Sequence, residues 1–343
     1  MVRADIALPL TSVRTSFFRK DTPLVTNSTM TSTSSQVILG EPASSATHPR
    51  VARRHRRQTT KLLFILPAAV FFSVIVIVPV LTNFFYGLTD WNGYSAAFNF
   101  VGIDNFIKLF NDLDVRNAVG NTLVFTLINA PLQIGIGLIL ALALKRPGRF
   151  TTFLRVTALI PIAVSGVVLS FLGEVIFDPK SGILHTLSAF PGLQWLDQNW
   201  LGSPTFAMGS IIFMQLWQWS GFTMIVFIAG MATIPGELYE AARIDGANYF
   251  QQFRAVTWPM LAPSATINVV LTVIGGLKVF DIIYVLTRGG PGQSTESIVM
   301  RVASQGGFAK FGYSAATSFG LTVLVLIISL VLLAVLRRRE FRA

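Results

Sequence analysis

Residues 237–263 read ELYEAARIDGANYFQQFRAVTWPMLAP and form the longest polar passage between two long apolar runs in the second half of the chain. Glu240 would lie in the first turns of a helix, where the helix dipole favours negative charge. The pair Asp245-Gly246 is a strong turn signal. The stretch therefore predicts two short helices hinged at Gly246, with the second broken at Pro259 before the next apolar run. Together they would form a docking surface for a partner.

The composition is that of a membrane protein. The chain has 343 residues, of which 52% are apolar and 13% are charged. Soluble proteins carry about 25% charged residues, and uncharged runs longer than about 18 residues indicate membrane-spanning helices. The net charge of +11 could indicate nucleic acid, but the basic residues are concentrated beside the apolar runs, so no nucleic-acid partner is expected.

Six apolar runs predict an all-α protein with six transmembrane helices and a membrane domain over residues 59–343. The predicted spans are residues 62–88, 117–144, 156–177, 205–232, 264–286 and 313–336. The segment before them, residues 1–58, is rich in Ser, Thr and Pro and is predicted to be a disordered cytoplasmic tail. Met30 within this tail is an alternative to Met1 as the start of the protein.

The orientation follows from the distribution of basic residues. Segments 50–61, 145–155, 233–264 and 337–342 together hold 16 Lys and Arg, whereas the loops on the other side hold six. Cytoplasmic loops carry the excess of Lys and Arg in membrane proteins. Both termini and the loop over residues 233–263 are therefore predicted to be cytoplasmic.

The polar loop carries a spaced motif. It reads E-A-A, three residues, G, nine residues and V-x-W-P, formed by Glu240, Ala241, Ala242, Gly246, Val256, Trp258 and Pro259. This pattern resembles the EAA loop of permease subunits of binding-protein-dependent ABC importers, which usually ends in isoleucine, any residue, leucine and proline. Val256 and Trp258 are a mild departure from that ending. An ordinary amphipathic helix between two spans is the alternative interpretation.

Two further segments resemble the carbohydrate branch of the same family, which includes maltose and glycerol-3-phosphate permeases. Residues 100–106, FVGIDNF, match its VGxxNF segment. Residues 287–291, TRGGP, match its T-x-GGP element, and Ser294-Thr295-Glu296 match the STE that often follows. The resemblance as a whole covers about residues 60–340 and implies the type I ABC importer permease fold in the bacterial inner membrane.

The resemblance also implies partners. It implies a second homologous permease, two ATPase subunits, an extracytoplasmic solute-binding protein and a sugar or oligosaccharide substrate. Membrane lipid around the spans is a further expected contact of this chain. The docking residues would be Glu240, Ala241, Ala242, Asp245, Gly246 and Pro259, with the Glu240 carboxylate pairing with a basic residue of the ATPase.

The chain carries no signature of catalysis. It has no G-x-x-x-x-G-K-[ST] phosphate loop, no H-E-x-x-H motif, no cysteine and only three His. We therefore expect no catalytic residue, metal site or cofactor on this chain, and expect ATP and Mg²⁺ to bind the partner ATPase.

The substrate path is predicted from polar and aromatic residues within the spans, since such groups are costly in a bilayer. The candidates are Gln215, Trp217, Trp219, Asn268, Thr272 and Asp281. Two alternatives stay open. Asp281 could instead pair with Lys278, three residues away on a helix. Asn268 and Thr272 could instead mark a contact between helices.

An ion-coupled secondary transporter of small solutes is the second functional hypothesis. Such a protein needs its own proton or sodium site, which is normally a carboxylate deep among the helices. Glu174 and Asp281 come nearest to this requirement, and both lie near the ends of predicted spans.

Overall fold

The structure is a computed structural model, and it describes residues 65–340, with side chains to residue 338. The predictions about the tail over residues 1–58 and about Met30 lie outside the described residues. Within the described part, the chain is built of helices, and its only extended pairing is one antiparallel bridge between Thr89 and Phe100. This is the all-α architecture that the sequence predicts.

Fourteen α-helices follow one another along this part of the chain, and a short 3-10 helix, Gln194–Leu196, lies between Ser188 and Pro204. The α-helices are α1 (Ile65–Gly87), α2 (Asp104–Asn111), α3 (Leu113–Leu144), α4 (Arg149–Ala163), α5 (Gly166–Phe177), α6 (Ile183–Ser188), α7 (Pro204–Ala232), α8 (Gly236–Ile244), α9 (Tyr249–Gln252), α10 (Trp258–Met260), α11 (Ala262–Leu277), α12 (Asp281–Leu286), α13 (Ile298–Gly307) and α14 (Phe311–Glu340). A π-helical turn, Phe253–Thr257, joins α9 to α10.

Within residues 65–340, five helices are long and apolar enough to cross a membrane: α1, α3, α7, α11 together with α12, and α14. A sixth span exists if α4 and α5 count as one, but these two helices meet at an angle of 101°. The stretch predicted as one span, residues 156–177, is therefore not a single straight helix. Pro161 lies in the last turn of α4, Val164 is extended, and the Ser165 side chain accepts the bond from Val168 N–H that caps α5.

The bundle is held together by close helix crossings at glycine. Gly137 on α3 faces Thr223 on α7, and Gly221 on α7 lies directly against the backbone carbonyl of Ala158 on α4. A Cβ atom at either glycine would collide with these neighbours. Small residues let membrane helices approach closely, so α7 packs centrally between α3 and α4.

Two buried apolar clusters lie along α7. One joins α3, α5, α7 and α12 and includes Phe125, Leu169, Ile211, Met214 and Ile283. The other lies beside the polar loop and comprises Ala141, Leu144, Met224, Phe227, Ile234 and Leu261. In contrast, the most apolar window of α1 has no buried residue in the described chain, as expected for a helix that faces lipid or another subunit.

Candidate functional site

The polar loop connects α7 directly to α11. Its first helix, α8, ends at Ile244, and Gly246 follows with a φ of +76°. The left-handed backbone conformation favours glycine, because the side chains of other residues collide with the backbone in it. The Ala247 N–H then donates to the Ala242 carbonyl at 2.9 Å, which closes the turn. The first short helix and the hinge at Gly246 are present as the sequence predicts. The predicted break at Pro259 is wrong, because helical turns continue through Pro259 to Met260 and α11 begins at Ala262.

The second half of the loop starts with a capping box. The Asn248 side chain accepts from the Gln251 N–H at 3.0 Å, and the Gln251 side chain accepts from the Asn248 N–H at 2.7 Å. The two halves are tied together by Tyr239 and Thr257, whose hydroxyl oxygens lie 3.0 Å apart. Leu261 is fully buried in the apolar cluster beside the loop. The loop is therefore packed against the helices that it joins.

The outer surface of the loop is exposed and partly apolar. Helix α8 has no buried residue, and Ile244 at its end is 86% exposed. Tyr249 and Phe250 across the hinge are exposed as well. Three large apolar side chains around one turn of a polar loop form a patch that another protein surface could cover.

The predicted docking residues do not all lie together. Glu240, Ala241, Asp245 and Gly246 are exposed on or beside α8, and Ala242 is half-buried. Glu240 forms no ion pair within the described range of residues 65–338. Pro259 is half-buried in α10, at the base of the loop. It positions the loop against α11 and is separate from the exposed surface of α8.

A cavity of about 470 Å³ lies between α3, the α4–α5 break, α7, α11 and α12. Four of the six predicted substrate residues line it, namely Gln215, Trp219, Thr272 and Asp281. Its other lining residues include three that the prediction did not select: Gln133, Gln218 and Lys278. The cavity wall thus combines amide, hydroxyl, indole and charged groups.

Two predicted residues lie elsewhere. Trp217 is 43% exposed and does not line the cavity, because two residues along a helix rotate it about 200° from the direction of Gln215 and Trp219. Asn268 is 1% exposed, and its amide donates to the Thr223 carbonyl at 3.5 Å. The alternative of a contact between helices therefore holds for Asn268, whereas Thr272 both packs and faces the cavity.

Gln133 on α3 links three helices at the cavity wall. Its Nε2 donates to Thr223 Oγ1 on α7 at 3.0 Å and to Thr272 Oγ1 on α11 at 3.3 Å. The Asn129 side chain, one turn earlier, donates to Gln133 Oε1 at 3.2 Å. The available sequence signal was an amide within an uncharged apolar run, which is costly in lipid unless it is bonded.

Lys278 and Asp281 do not form the ion pair that the sequence left open. Both side chains are exposed and line the cavity, and no bridge of 4 Å or less joins them in the described chain. The reason is that α11 ends at Leu277 and α12 begins at Asp281, so the two residues do not share one continuous helix. Asp281 instead lies against Gly166, at the start of α5.

The segments that resemble the carbohydrate branch lie away from the cavity. Residues 100–106 form a turn and the start of α2, and residues 287–296 form the loop after α12. In the first, Asn105 Nδ2 donates to the carbonyls of Gly87 and Thr89 at 2.9 and 2.8 Å, which fixes the end of α1. In the second, Thr295 Oγ1 donates to the Gly290 carbonyl at 2.7 Å. Both Asn105 and Thr295 are buried.

A charged cluster follows the second loop. The Arg301 guanidinium on α13 pairs with Asp114 on α3, and its Nη1 lies 3.6 Å from Glu296 Oε1. Burial, and then the negative charge of Asp112, raise the pKa of the Glu296 carboxyl above its usual value. The sequence showed no pattern for this cluster, because its members come from two segments that are far apart in the sequence.

Comparison with known proteins places the chain in a family. The model of the family described as binding-protein-dependent transport system inner membrane component matches residues 133–342. A probable ABC transporter permease protein of Pyrococcus horikoshii is 36% identical over 271 residues, which are 78% of this chain and 92% of that protein.

Other relatives carry names of particular transport systems. The trehalose/maltose transport system permease protein MalF of Thermococcus litoralis is 32% identical over 84% of this chain and 97% of its own length. The diacetylchitobiose uptake system permease protein NgcF of Streptomyces coelicolor is also 32% identical, over 84% of this chain and 85% of its own length.

The fold has a counterpart among solved structures. The crystal structure of a bacterial alginate ABC transporter, in complex with an alginate pentasaccharide-bound periplasmic protein, contains a chain that superimposes with a TM-score of 0.73. The two chains are 22% identical, and the match covers 85% of this chain and 98% of that one. The chain described here belongs to the family of binding-protein-dependent transport system inner membrane components, the multi-pass permease subunits of ABC transporters.

Proposed function

We propose that this chain forms half of the translocation pathway of an ATP-driven importer for a sugar or oligosaccharide. The observation that carries this proposal is a connection: the exposed loop with Glu240 joins α7 to α11, and both helices line the cavity. Force applied to the loop would therefore reach the cavity wall without an intermediate element.

The lining of the cavity supports a polyhydroxylated substrate. Gln133, Gln215, Gln218 and Thr272 offer amide and hydroxyl groups, and Trp219 offers an aromatic face. Small-molecule sites combine a few polar groups with apolar and aromatic walls. The relatives named for trehalose/maltose and for diacetylchitobiose point to the same class of substrate.

In this proposal the energy comes from another polypeptide. ATP and Mg²⁺ would bind two ATPase subunits, and the Glu240 carboxylate on α8 would pair with a basic residue of one of them. A second permease would complete the pathway, and a solute-binding protein would deliver the sugar. Closure of the ATPases would draw the loops together and shift the helices from an inward-open to an outward-open arrangement.

The alternative, an ion-coupled secondary transporter, has less support. Its coupling site would need a carboxylate buried among the spans. Within residues 65–338, Asp281 is the acidic residue that lines the cavity, and Glu174 on α5 is exposed. The family of the chain also favours a subunit that depends on a separate ATPase.

Co-expression with the neighbouring genes tests the proposal. The tagged chain should co-purify with an ATPase and a second permease, and proteoliposomes with the binding protein should take up labelled oligosaccharides only when ATP is supplied on the ATPase side. Uptake by the purified chain alone, driven by a proton or sodium gradient, would contradict the proposal and support the alternative.

A further inference from the structure

A second cavity, of about 610 Å³, lies under the polar loop. It is bounded by the turn between α3 and α4, by the last turns of α7, and by α8 and α9. Its basic lining residues are Lys145 at the end of α3, Arg155 on α4 and Arg243 on α8. Three cationic side chains from distant parts of the sequence thus surround one space.

These cations are held in place but not neutralised. Arg155 Nε donates to the Leu144 carbonyl at 2.9 Å, and Arg243 Nε donates to the Tyr239 carbonyl at 3.3 Å. The Lys145 ammonium lies 5.0 Å from the centre of the Tyr249 ring. None of the three has a carboxylate within 4 Å in the part of the chain that carries described side chains.

Of these cations, Lys145 lies close to the phenol of Tyr249. A hydrogen bond from Lys145, and then the positive charges of Lys145 and Arg146, hold the pKa of the Tyr249 phenol below its usual value. The cavity therefore has a positive potential that an anion would balance.

The remaining wall of the cavity is apolar. Ile228 and Met231 line it from the last turns of α7, and both are half-buried. Because α7 is a membrane-spanning helix, this wall lies where the span ends and the polar loop begins. A free phosphate ion would use the cations and leave the apolar wall bare, whereas a phospholipid would use both. Basic pockets between membrane helices on the cytoplasmic side are typical sites for phosphate head groups of lipids.

We propose that this cavity binds the head group of an anionic phospholipid. The lipid phosphate contacts Lys145 and Arg243, and the start of an acyl chain lies along Ile228 and Met231. The bound lipid joins the turn between α3 and α4 to the loop that carries Glu240, so the site stiffens the docking surface. The lipid site does not require a transported substrate, and the proposal is independent of whether the transported solute is a sugar.

Native mass spectrometry of the full chain in detergent, titrated with phosphatidylglycerol, tests the site. The variant K145Q/R243Q should lose phosphatidylglycerol affinity by about 25-fold, since each cation near an anionic lipid surface contributes about fivefold. The charge-preserving variant K145R/R243K should stay within about twofold of the unchanged chain. If K145Q/R243Q fails to fold by circular dichroism, K145Q alone carries the test, with an expected loss of about fivefold.

The matched control is R337Q/R338Q, which removes two exposed positive charges from the end of α14. It should leave the affinity unchanged, and phosphatidylcholine should bind the unchanged chain at least tenfold more weakly. Equal losses in R337Q/R338Q and K145Q/R243Q, or no loss in either, would overturn the proposal. Displacement of the lipid by millimolar sodium phosphate would also overturn it, because the ligand would then be a free anion.

Discussion

Gln218 on α7 donates a hydrogen bond from its Nε2 to the backbone carbonyl of Val164, at 3.1 Å. Val164 lies at the break between α4 and α5, where the backbone turns by 101° and its carbonyls leave the helical pattern. A free carbonyl at membrane depth costs several kcal/mol, about the same as a lost hydrogen bond in an apolar medium. The amide of Gln218 therefore stabilises the break that shapes one side of the cavity.

Replacement of this amide should destabilise the protein. We expect Gln218→Leu to lower the free energy of unfolding by about 1–3 kcal/mol, because the Val164 carbonyl loses its donor. The melting temperature of the purified chain in detergent measures this effect. Gln215→Leu is the matched control. The Gln215 side chain lines the same cavity but forms no hydrogen bond within residues 65–338, so the melting temperature of this variant should hardly change. Equal shifts in the two variants would contradict the role given to Gln218.

The hinge of the polar loop supplies a second prediction. Gly246 has a φ of +76°, and no atom lies within 4 Å of the place where a Cβ would be. A side chain at this position would therefore act only through backbone strain. Gly246→Ala should weaken the loop by about 1–2 kcal/mol, and Gly246→Asn by less, because Asn enters the left-handed region more readily. The rate of backbone hydrogen exchange in residues 236–252 measures this loss of loop stability.

Gly236 provides the control for the hinge. It also has open space around it but lies at the first position of α8 without a positive φ. Gly236→Ala should therefore leave exchange in the loop unchanged or slower. Faster exchange in Gly236→Ala than in Gly246→Ala would show that the left-handed turn is not the constraint.

Asn105 is expected to have a structural role despite its place in a family motif. Its amide bonds to two carbonyls at the end of α1, and the side chain is buried. Asn105→Ala should cost about 2 kcal/mol of stability, at about 1 kcal/mol for each hydrogen bond. Asn111→Ala, an exposed change in the same helix α2, should cost little. A variant of Asn105 that keeps its melting temperature but loses sugar specificity would contradict this assignment.

The pH dependence of stability should report the environment of Glu296. Burial raises the pKa of its carboxyl in the folded protein above the unfolded value, so the folded state holds this proton more tightly. The protonated Glu296 carboxyl therefore contributes its full stability when the pH is below the pKa of this group in the unfolded chain. The contribution is lost as the pH rises through the pKa of the group in the folded protein. Glu296→Gln should remove this loss, so its melting temperature should fall less than that of the unchanged chain over the same rise in pH. Parallel curves of melting temperature against pH for the two proteins would contradict this role of Glu296.

Sequence patterns predicted the positions of the helices better than the angles at which the helices meet. The hinge at Gly246 was predictable because Asp-Gly turns are local, and the apolar runs fix where helices cross the membrane. The 101° break was not predictable, since Pro161 signals a bend but the angle depends on Gln218, far away in the sequence. Lys278 and Asp281 failed to pair because the helix between them stops, which their spacing of three residues does not reveal.

The candidate site was predictable to a similar extent. Polar residues within spans indicated the cavity, and Gln215, Trp219 and Thr272 line it. Trp217 was included as an aromatic ring within a span, but helical geometry turns it away from Gln215 and Trp219. Gln133 was missed, because a single amide in α3 shows no periodic pattern and gains its meaning only from Thr223 and Thr272 on other helices.

We propose that Glu240 transmits the work of a separate ATPase to the helices around the cavity. ATP-driven oligosaccharide uptake by proteoliposomes with the assembled transporter tests it most directly, with Glu240→Ala compared to Glu237→Ala on the same exposed helix. We predict that Glu240→Ala lowers uptake at least about tenfold, as expected for loss of a charged contact between subunits, whereas Glu237→Ala stays within about twofold. Unchanged ATP-driven uptake in Glu240→Ala would contradict the claim.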